Sequence, residues 1–538
     1  MRDSDRQSGF PAVRSPFQGR RGDKPRRLQT SWWVRASAAL VICAAAVAAS
    51  YAQTFTTLHS FDGADGENQG QGRLLQASDG NLYGATSQGG TNGWGTVFRT
   101  TPTGVLTRLY NFSGYPTGGS FPWYVGLIQS NDGSFYGTTE QGGTGGDCNG
   151  AGGCGTVYRI TQSGTLTTLY SFCSLSGCTD GIYPEVLVLA DDGSFYGITD
   201  AGGADSDECE LTGGCGTVFK MTPDGTLTTL YRFCSRPNCA DGAYPVGLIE
   251  ATDGNFYGTT AGGGARRKSE PMGYGTVFKI TRAGRLATLY SFCSKNSECL
   301  DGAEPYAGVI QGNDGNFYGT TAFGGAIGYA TSGGGSVFKI TPGGTLSTLY
   351  SFCSQYECDD GATPYAALVQ ATDGNFYGTT AYGGTSRGCD GGDSCGTIFK
   401  VTPSGALTTL YSFCSKTNCT DGITPYAGLV QDTNGSFYGT TNQGGANFDG
   451  TVYSLSIGLG PFVQTQPTLG PVGRPVKILG TNLTGATSVT FNGTAATFTV
   501  ASPSLITTTV PAGATTGTVQ VVTPGGTLSS NVPFRVIQ

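Results

Sequence analysis

The chain has 538 residues, of which 90 are glycine and 12% are charged, with a formal net charge of −7. Glycine at more than twice its usual ~7% share falls at fixed intervals between apolar runs, which excludes a low-complexity tract and indicates a folded protein with many tight turns. Basic residues cluster in the first 35 positions, so the rest offers no electrostatic footprint for nucleic acid.

The N-terminus is polar and basic (Arg20, Arg21, Lys24, Arg26, Arg27, Arg35), followed by an apolar run from Ala36 to Ala49 and the small-residue stretch Ser50-Tyr51-Ala52. This pattern predicts a secretory signal over residues 1–52, cut after Ala52. The run is too short for a membrane span of ~20 residues and no second one follows, so the mature chain is expected to be exported without a span, to the periplasm, cell surface or medium.

From residue 53 one phrase recurs seven times. Asp-Gly-Asn/Ser-Phe/Leu-Tyr-Gly begins at Asp79, Asp132, Asp192, Asp253, Asp314 and Asp373, with a variant at Asn434, at spacings of 53, 60, 61, 61, 59 and 61 residues. Two further phrases keep step with it: Gly-Thr/Ser-Val/Ile-Phe/Tyr from Gly95 to Gly450, and Leu-Tyr/His-x-Phe from Leu58 to Leu410. Each repeat reads as four short strands. In the clearest one these are Ala367 to Gln370, Asn375 to Thr380, Gly396 to Thr402 and Ala406 to Phe413, with tight turns at Asp373-Gly374 and Pro403 to Gly405. Seven such units predict an all-β fold, a seven-bladed β-propeller.

The region opens with a lone fourth-strand phrase, Thr54 to Phe61, and ends with a third-strand phrase, Gly450 to Ile457. Pairing the two would close the seventh blade and hide an open sheet edge. The short turns then share one face, and the long loops and crossovers share the other.

The long loops carry the cysteines. Without Cys43, sixteen remain in eight close pairs, and a repeat that lacks one member lacks both. Joint presence or absence argues for disulfides Cys148–Cys154, Cys173–Cys178, Cys209–Cys215, Cys234–Cys239, Cys293–Cys299, Cys353–Cys358, Cys389–Cys395 and Cys414–Cys419. Zinc is disfavoured, because the spacings are not Cys-x2-Cys and His59 is the only histidine. After a linker over 459–468, residues 469–538 alternate Thr/Val-rich runs with Gly, Asn and Pro turns and predict a small Ig-like β-sandwich.

Asn255-Phe-Tyr-Gly-Thr-Thr, Gly275-Thr-Val-Phe-Lys-Ile-Thr and Thr408-Leu-Tyr-Ser-Phe resemble the GloVer (Gloeo/Verruco) tandem repeat of exported bacterial proteins, over roughly residues 54 to 457. Gly480 to Gly493, with Val510-Pro-Ala-Gly513 and Thr523-Pro-Gly-Gly526, resembles an IPT/TIG domain, an Ig-like module of cell-surface proteins. Neither resemblance implies a catalytic residue or a substrate.

Two sets of residues are candidates for binding at the looped face. Asp180, Asp241, Asp301, Asp360 and Asp421 recur in the crossovers as Asp-Gly-x-x-Pro. They would either form a carboxylate ring for calcium or sugar hydroxyls, or cap turns through their own backbone. Trp123, Tyr306, Tyr365 and Tyr426, after the crossover prolines, would stack on sugar rings, meet a protein partner, or pack between blades. With one histidine there is no Ser-His-Asp triad and no histidine-based metal site, and no catalytic residue is assigned. The function expected is non-catalytic binding or adhesion to a glycan or protein ligand. The alternatives are a polysaccharide hydrolase or lyase using the unmatched acids Glu140, Glu185, Glu250 and Glu304, and a structural envelope component.

Overall fold

The computed structural model describes residues 53–537, apart from positions 117, 125, 147, 149–151, 204–208, 210–212, 266–271, 295–297, 326–332, 387–388 and 390–394 in the loops. The expected signal over residues 1–52 lies outside the described residues.

The protein is all-β, and its repeat region folds into successive four-stranded antiparallel sheets. In the sixth repeat the order is Val369–Gln370, Phe376–Thr380, Thr397–Val401 and Leu407–Ser412, each strand paired to the next in sequence. Asp373 sets the first turn by accepting from the Asn375 amide at 3.1 Å and the Tyr377 hydroxyl at 2.8 Å, while Gly374 takes a φ of 78°. The Asp of the recurrent phrase is therefore a turn former.

The three phrases are linked by packing. The glycine of Phe-Tyr-Gly lies under the aromatic of Gly-Thr-Val-Phe: a Cβ on Gly378 would meet the Phe399 ring at 2.6 Å. The Phe of Leu-Tyr-x-Phe then packs edge-on against the same aromatic in the following sheet. Phe112–Tyr158, Phe172–Phe219, Phe233–Phe278, Phe292–Phe338, Phe352–Phe399 and Phe413–Tyr453 have ring centroids 5.0–5.4 Å apart.

The N-terminal strand completes the series. Thr54–Ser60 pairs with Thr451–Ser456 as the outer strand of the last repeat's sheet. Phe61, just beyond it, meets Phe98 of the first sheet at 5.4 Å. At the inner end, the Gln76 side chain exchanges hydrogen bonds with Thr433 at 2.8 and 3.1 Å. Both kinds of contact recur between other neighbouring repeats, as in Phe352–Phe399 and in the Asn313 amide donating to the Gln370 side chain at 2.9 Å.

All eight expected disulfides are formed. They lie in the second-to-third-strand loops and in the crossovers, at the opposite end of the sheets from the Asp-Gly turns.

The C-terminal residues form two further four-stranded sheets. One holds Gln464–Gln466, Pro475–Leu479, Leu505–Thr509 and Phe498–Ser502, and the other holds Thr494–Ala495, Ser488–Phe491, Val519–Thr523 and Gly526–Ser529. They enclose a core that includes Ile478, Phe491, Ile506, Val521 and Phe534. The stretch expected as a linker supplies the first of these strands, Gln464–Gln466. This pair of sheets is seated against the Asp-Gly turns of the repeats. Lys477 donates to the Asn131 carbonyl at 2.9 Å, both terminal nitrogens of Arg474 donate to the Asp191 carbonyl at 3.2 Å, and the Thr481 and Thr433 hydroxyls lie 3.0 Å apart.

Candidate functional site

The first strand of every repeat faces one common space. Residues from all seven sheets line a cavity of about 650 Å³, and Gln464–Leu469 with Arg474 of the C-terminal sheets lie across one end of it. The other end opens among the disulfide-bearing loops.

Alternation along the first strands organises its wall. Leu74, Leu127, Leu187, Leu248, Val309, Leu368 and Leu429 are buried between sheets. The next residues, among them Leu75, Ile128, Val188, Ile249 and Ile310, turn into the cavity as an aliphatic belt near the C-terminal sheets. Two positions nearer the mouth the belt narrows to small residues, Gly126, Gly247, Gly308, Ala367 and Gly428, joined by Val186 and one charged residue, Arg73. Two positions further, Tyr124, Tyr306 and Tyr365 stand at the mouth.

The structure brings the four sequence-predicted aromatics together. Tyr306–Tyr365 and Tyr365–Tyr426 centroids are 5.4 Å apart at steep angles, and Tyr426–Trp123 centroids are 6.4 Å apart. The Tyr426 hydroxyl lies 3.2 Å from that of Tyr382. All four are half-buried, so the arc is anchored by its own packing and keeps ring surface exposed. Tyr124 stands level with Tyr365 although it is the second residue after its proline, because Pro122 to Gln129 holds one residue more than Pro364 to Gln370.

The crossover aspartates need correcting as a ligand-binding ring. Asp180, Asp241, Asp360 and Asp421 are fully buried. Asp360 accepts from the Tyr350 hydroxyl at 2.7 Å, the Ser354 amide at 3.0 Å and hydroxyl at 2.8 Å, and the Gln355 amide at 3.3 Å. The other three repeat this set with their own Tyr and Ser. Asp301 accepts from the Tyr290 hydroxyl at 2.7 Å and the Cys293 amide at 3.2 Å. Both oxygens of Asp180, Asp241, Asp360 and Asp421 are occupied in shaping the crossovers, and Asp301 alone of the five keeps one buried oxygen, Oδ1, without a partner among the described residues, which leaves no ring there for calcium or sugar hydroxyls.

A different set of acids gathers beside the mouth. The second-strand hydroxyls of Thr138, Thr320 and Thr379 donate to the carbonyls of Glu185, Ala366 and Ala427 in the following sheet at 2.6, 3.1 and 3.0 Å. Glu185 thus occupies a register that holds alanine in other sheets, because its first strand is one residue shorter after the proline. Its carboxyl is 2% exposed, and Oε2 has no partner among the described residues. Burial, with Asp200 and then Glu140 nearby, holds it well above the usual carboxylate range. Burial raises Asp200 to about 6, and burial with Asp200 raises Glu140 to about 7. The same acids, after burial itself, push the Tyr124 phenol upward. Glu304 accepts from Tyr306 at 3.2 Å, while Glu250 is held with Asp191 by Arg282.

The signature of the Gloeobacter/Verrucomicrobia repeat matches residues 47–236, 208–453 and 267–500. The chain belongs to that family. No curated protein matches this repeat protein. Among solved structures it is similar to a fungal alcohol oxidase of the AA5 family in complex with copper, at 13% identity over 90% of this chain and 99% of that chain, with a TM-score of 0.50. It is also similar to PorZ, a surface component of the type-IX secretion system of Porphyromonas gingivalis, at 14% identity over 89% of this chain and 61% of that one, with a TM-score of 0.44. At these identities the likeness concerns the fold alone. The chain's single histidine, His59, lies on the N-terminal strand 2.6 Å from Asp65, outside the cavity lining.

Proposed function

We propose that this repeat protein is an exported, non-catalytic binding protein. In this reading residues 53–458 are a seven-bladed β-propeller clasped by its N-terminal strand, and residues 469–538 are an Ig-like domain of the IPT/TIG type. The ligand is a glycan held at the looped mouth. The observation that carries the reading is the arc of Trp123, Tyr426, Tyr365 and Tyr306 around a deep cavity. Amphipathic rings with a wet edge suit the apolar faces and hydroxyls of sugars. Export is supported by eight disulfides, which persist in oxidising compartments.

The test is a glycan array probed with oxidised residues 53–538 and with a W123A/Y365A/Y426A variant. Binding lost in the variant at an unchanged melting temperature is the expected result. Binding that survives all three changes refutes the placement of the site.

One observation favours a second reading, a glycoside hydrolase. A buried, unpartnered Glu185 with raised acids beside it is the kind of group that donates a proton to a leaving sugar. New reducing ends from a bound glycan, abolished by Glu185→Gln, would establish it over simple binding.

A further inference from the structure

Arg73 stands at the level of the cavity where the other sheets carry glycine, alanine or valine. Gly126 and Gly428 flank it: a Cβ on Gly126 would lie 3.8 Å from its Cγ, and one on Gly428 3.9 Å from its Cβ. The side chain is exposed to the lumen, yet protein surrounds it closely enough to draw its pKa below the ordinary guanidinium value. Arginine stays charged under such a shift. No hydrogen bond or ion pair to Arg73 is formed among the described residues. The nearby acids that face the lower cavity are already engaged, since Asp191 and Glu250 both pair with Arg282. The cation at the floor, Arg474, bonds only a carbonyl. A guanidinium with five donors, placed in a cavity and unmatched by any anion, lacks the partner its geometry suits.

We infer that Arg73 is the anion-binding subsite of this channel, and that the ligand is an acidic saccharide whose carboxylate or sulfate enters the lumen to meet it. This inference rests on the glycan reading above and names the class of glycan. Two residues along a strand is about 7 Å, so the guanidinium base lies roughly one sugar ring below the tyrosines of the mouth. A ring stacked on Tyr306 or Tyr365 can therefore present its acid group downward to a bidentate, charge-assisted contact. The C-terminal sheets lie across the far end, so the saccharide enters from the looped face with a chain end first. The mouth acids Glu140, Glu185 and Asp200, with Glu304, oppose an anion when ionised, which makes the site selective for an acid group that passes them to reach Arg73.

The experiment is calorimetric titration of oxidised residues 53–538 with a panel of uronate-, sialate- and sulfate-bearing oligosaccharides, each paired with its neutral methyl ester or desulfated form. Wild type, R73Q, R73K and W123A/Y365A/Y426A are compared. The expected result is preference for one acidic member over its neutral form. R73Q should lose that preference, about tenfold in Kd, with the neutral form's affinity unchanged. R73K, which keeps the charge without the fork, should fall between. An acid-to-neutral ratio that R73Q leaves intact, or wild-type preference for neutral forms, overturns the subsite while the glycan reading stands. Acid binding that depends on Arg73 but survives the aromatic variant keeps the subsite and overturns the aromatic platform. No binding by any member overturns both. Because Arg73 makes no hydrogen bond or ion pair among the described residues, R73Q should melt with wild type, which separates loss of binding from loss of fold.

Discussion

Replacing the three mouth acids together, as E140Q/E185Q/D200N, should stabilise the protein in a pH-dependent way. In the unfolded chain these groups titrate near their ordinary values, 4.5 for Glu140 and 3.8 for Asp200, whereas in the fold they titrate at about 7 and about 6. The folded state therefore binds more protons than the unfolded state between those limits, and stability falls as pH rises through the window. At 1.4 kcal/mol per unit, each of these two shifts amounts to about 3 kcal/mol, and Glu185 adds to them in the same direction. Solvent at the half-exposed Glu140 and Asp200 screens part of this, leaving on the order of 3–5 kcal/mol between pH 4 and pH 8. A unit of this size moves its midpoint by about 1 °C per kcal/mol. Scanning calorimetry with intact disulfides should find the triple variant level with wild type near pH 4 and about 3–5 °C above it at pH 8. Asp432, raised to about 6 by burial, is common to both proteins and cancels in the difference. A gap between the two melting curves that does not change with pH would refute the electrostatic argument.

Other outcomes follow from the packing. Asp360→Ala strands four donors and should cost about 2–4 kcal/mol in denaturant unfolding without changing saccharide affinity; an affinity loss would return the crossover aspartates to the site. Phe61→Ala removes the ring that joins the N-terminal strand to the first sheet and should cost about 3 kcal/mol, read as faster amide exchange in residues 54–60 and 451–456; exchange unchanged there would mean the first and last repeats are held together elsewhere. Serine at both Cys353 and Cys358 should lower stability by about 2 kcal/mol, the entropy of a small ring, and a much larger loss would point to a role beyond stapling.

The fold was legible because the chain carries its own alignment. Seven copies of Phe/Leu-Tyr-Gly, Val/Ile-Phe/Tyr and Leu-Tyr/His-x-Phe expose the strand order, and the orphan phrase at Thr54 pairs with the orphan at Gly450 as its register requires. Cysteine pairs could be read from loops that keep or lose both members. What the sequence did not disclose was where the C-terminal sheets sit, because Arg474, Lys477 and Thr481 bond backbone carbonyls or a hydroxyl of the Asp-Gly turns. Such contacts leave no complementary side-chain pattern to recognise.

The site was legible only where the repeats disagree, and there the register had to be right. Counting from the crossover proline places Glu185 level with Tyr306; the threonine bonds between sheets place it level with alanines, and that one-residue difference turns a channel-facing acid into a buried one. Arg73 was hidden for the same reason, since the first repeat has no crossover proline to count from. Counting backward from the end of each first strand, a glutamine or acid in every repeat but the third, where it is Leu189, recovers it as the one charged residue in a ring of glycine, alanine and valine. The shared residues of a repeat explain the scaffold, because every copy must satisfy the same packing. A ligand that entered the cavity would meet all copies at once, so its specificity would reside in substitutions that break the symmetry: Arg73 in the first repeat, Trp123 with the extra Tyr124 and Glu140 in the second, Glu185 and Asp200 in the third. The acids and the cation stand on adjacent sheets, whereas the tyrosines of the fifth to seventh repeats are alike. The aromatic arc runs from Tyr306 through Tyr365 and Tyr426 to Trp123, so the second repeat, which carries both Trp123 and Glu140, is where a stacked ring and a charged edge would meet.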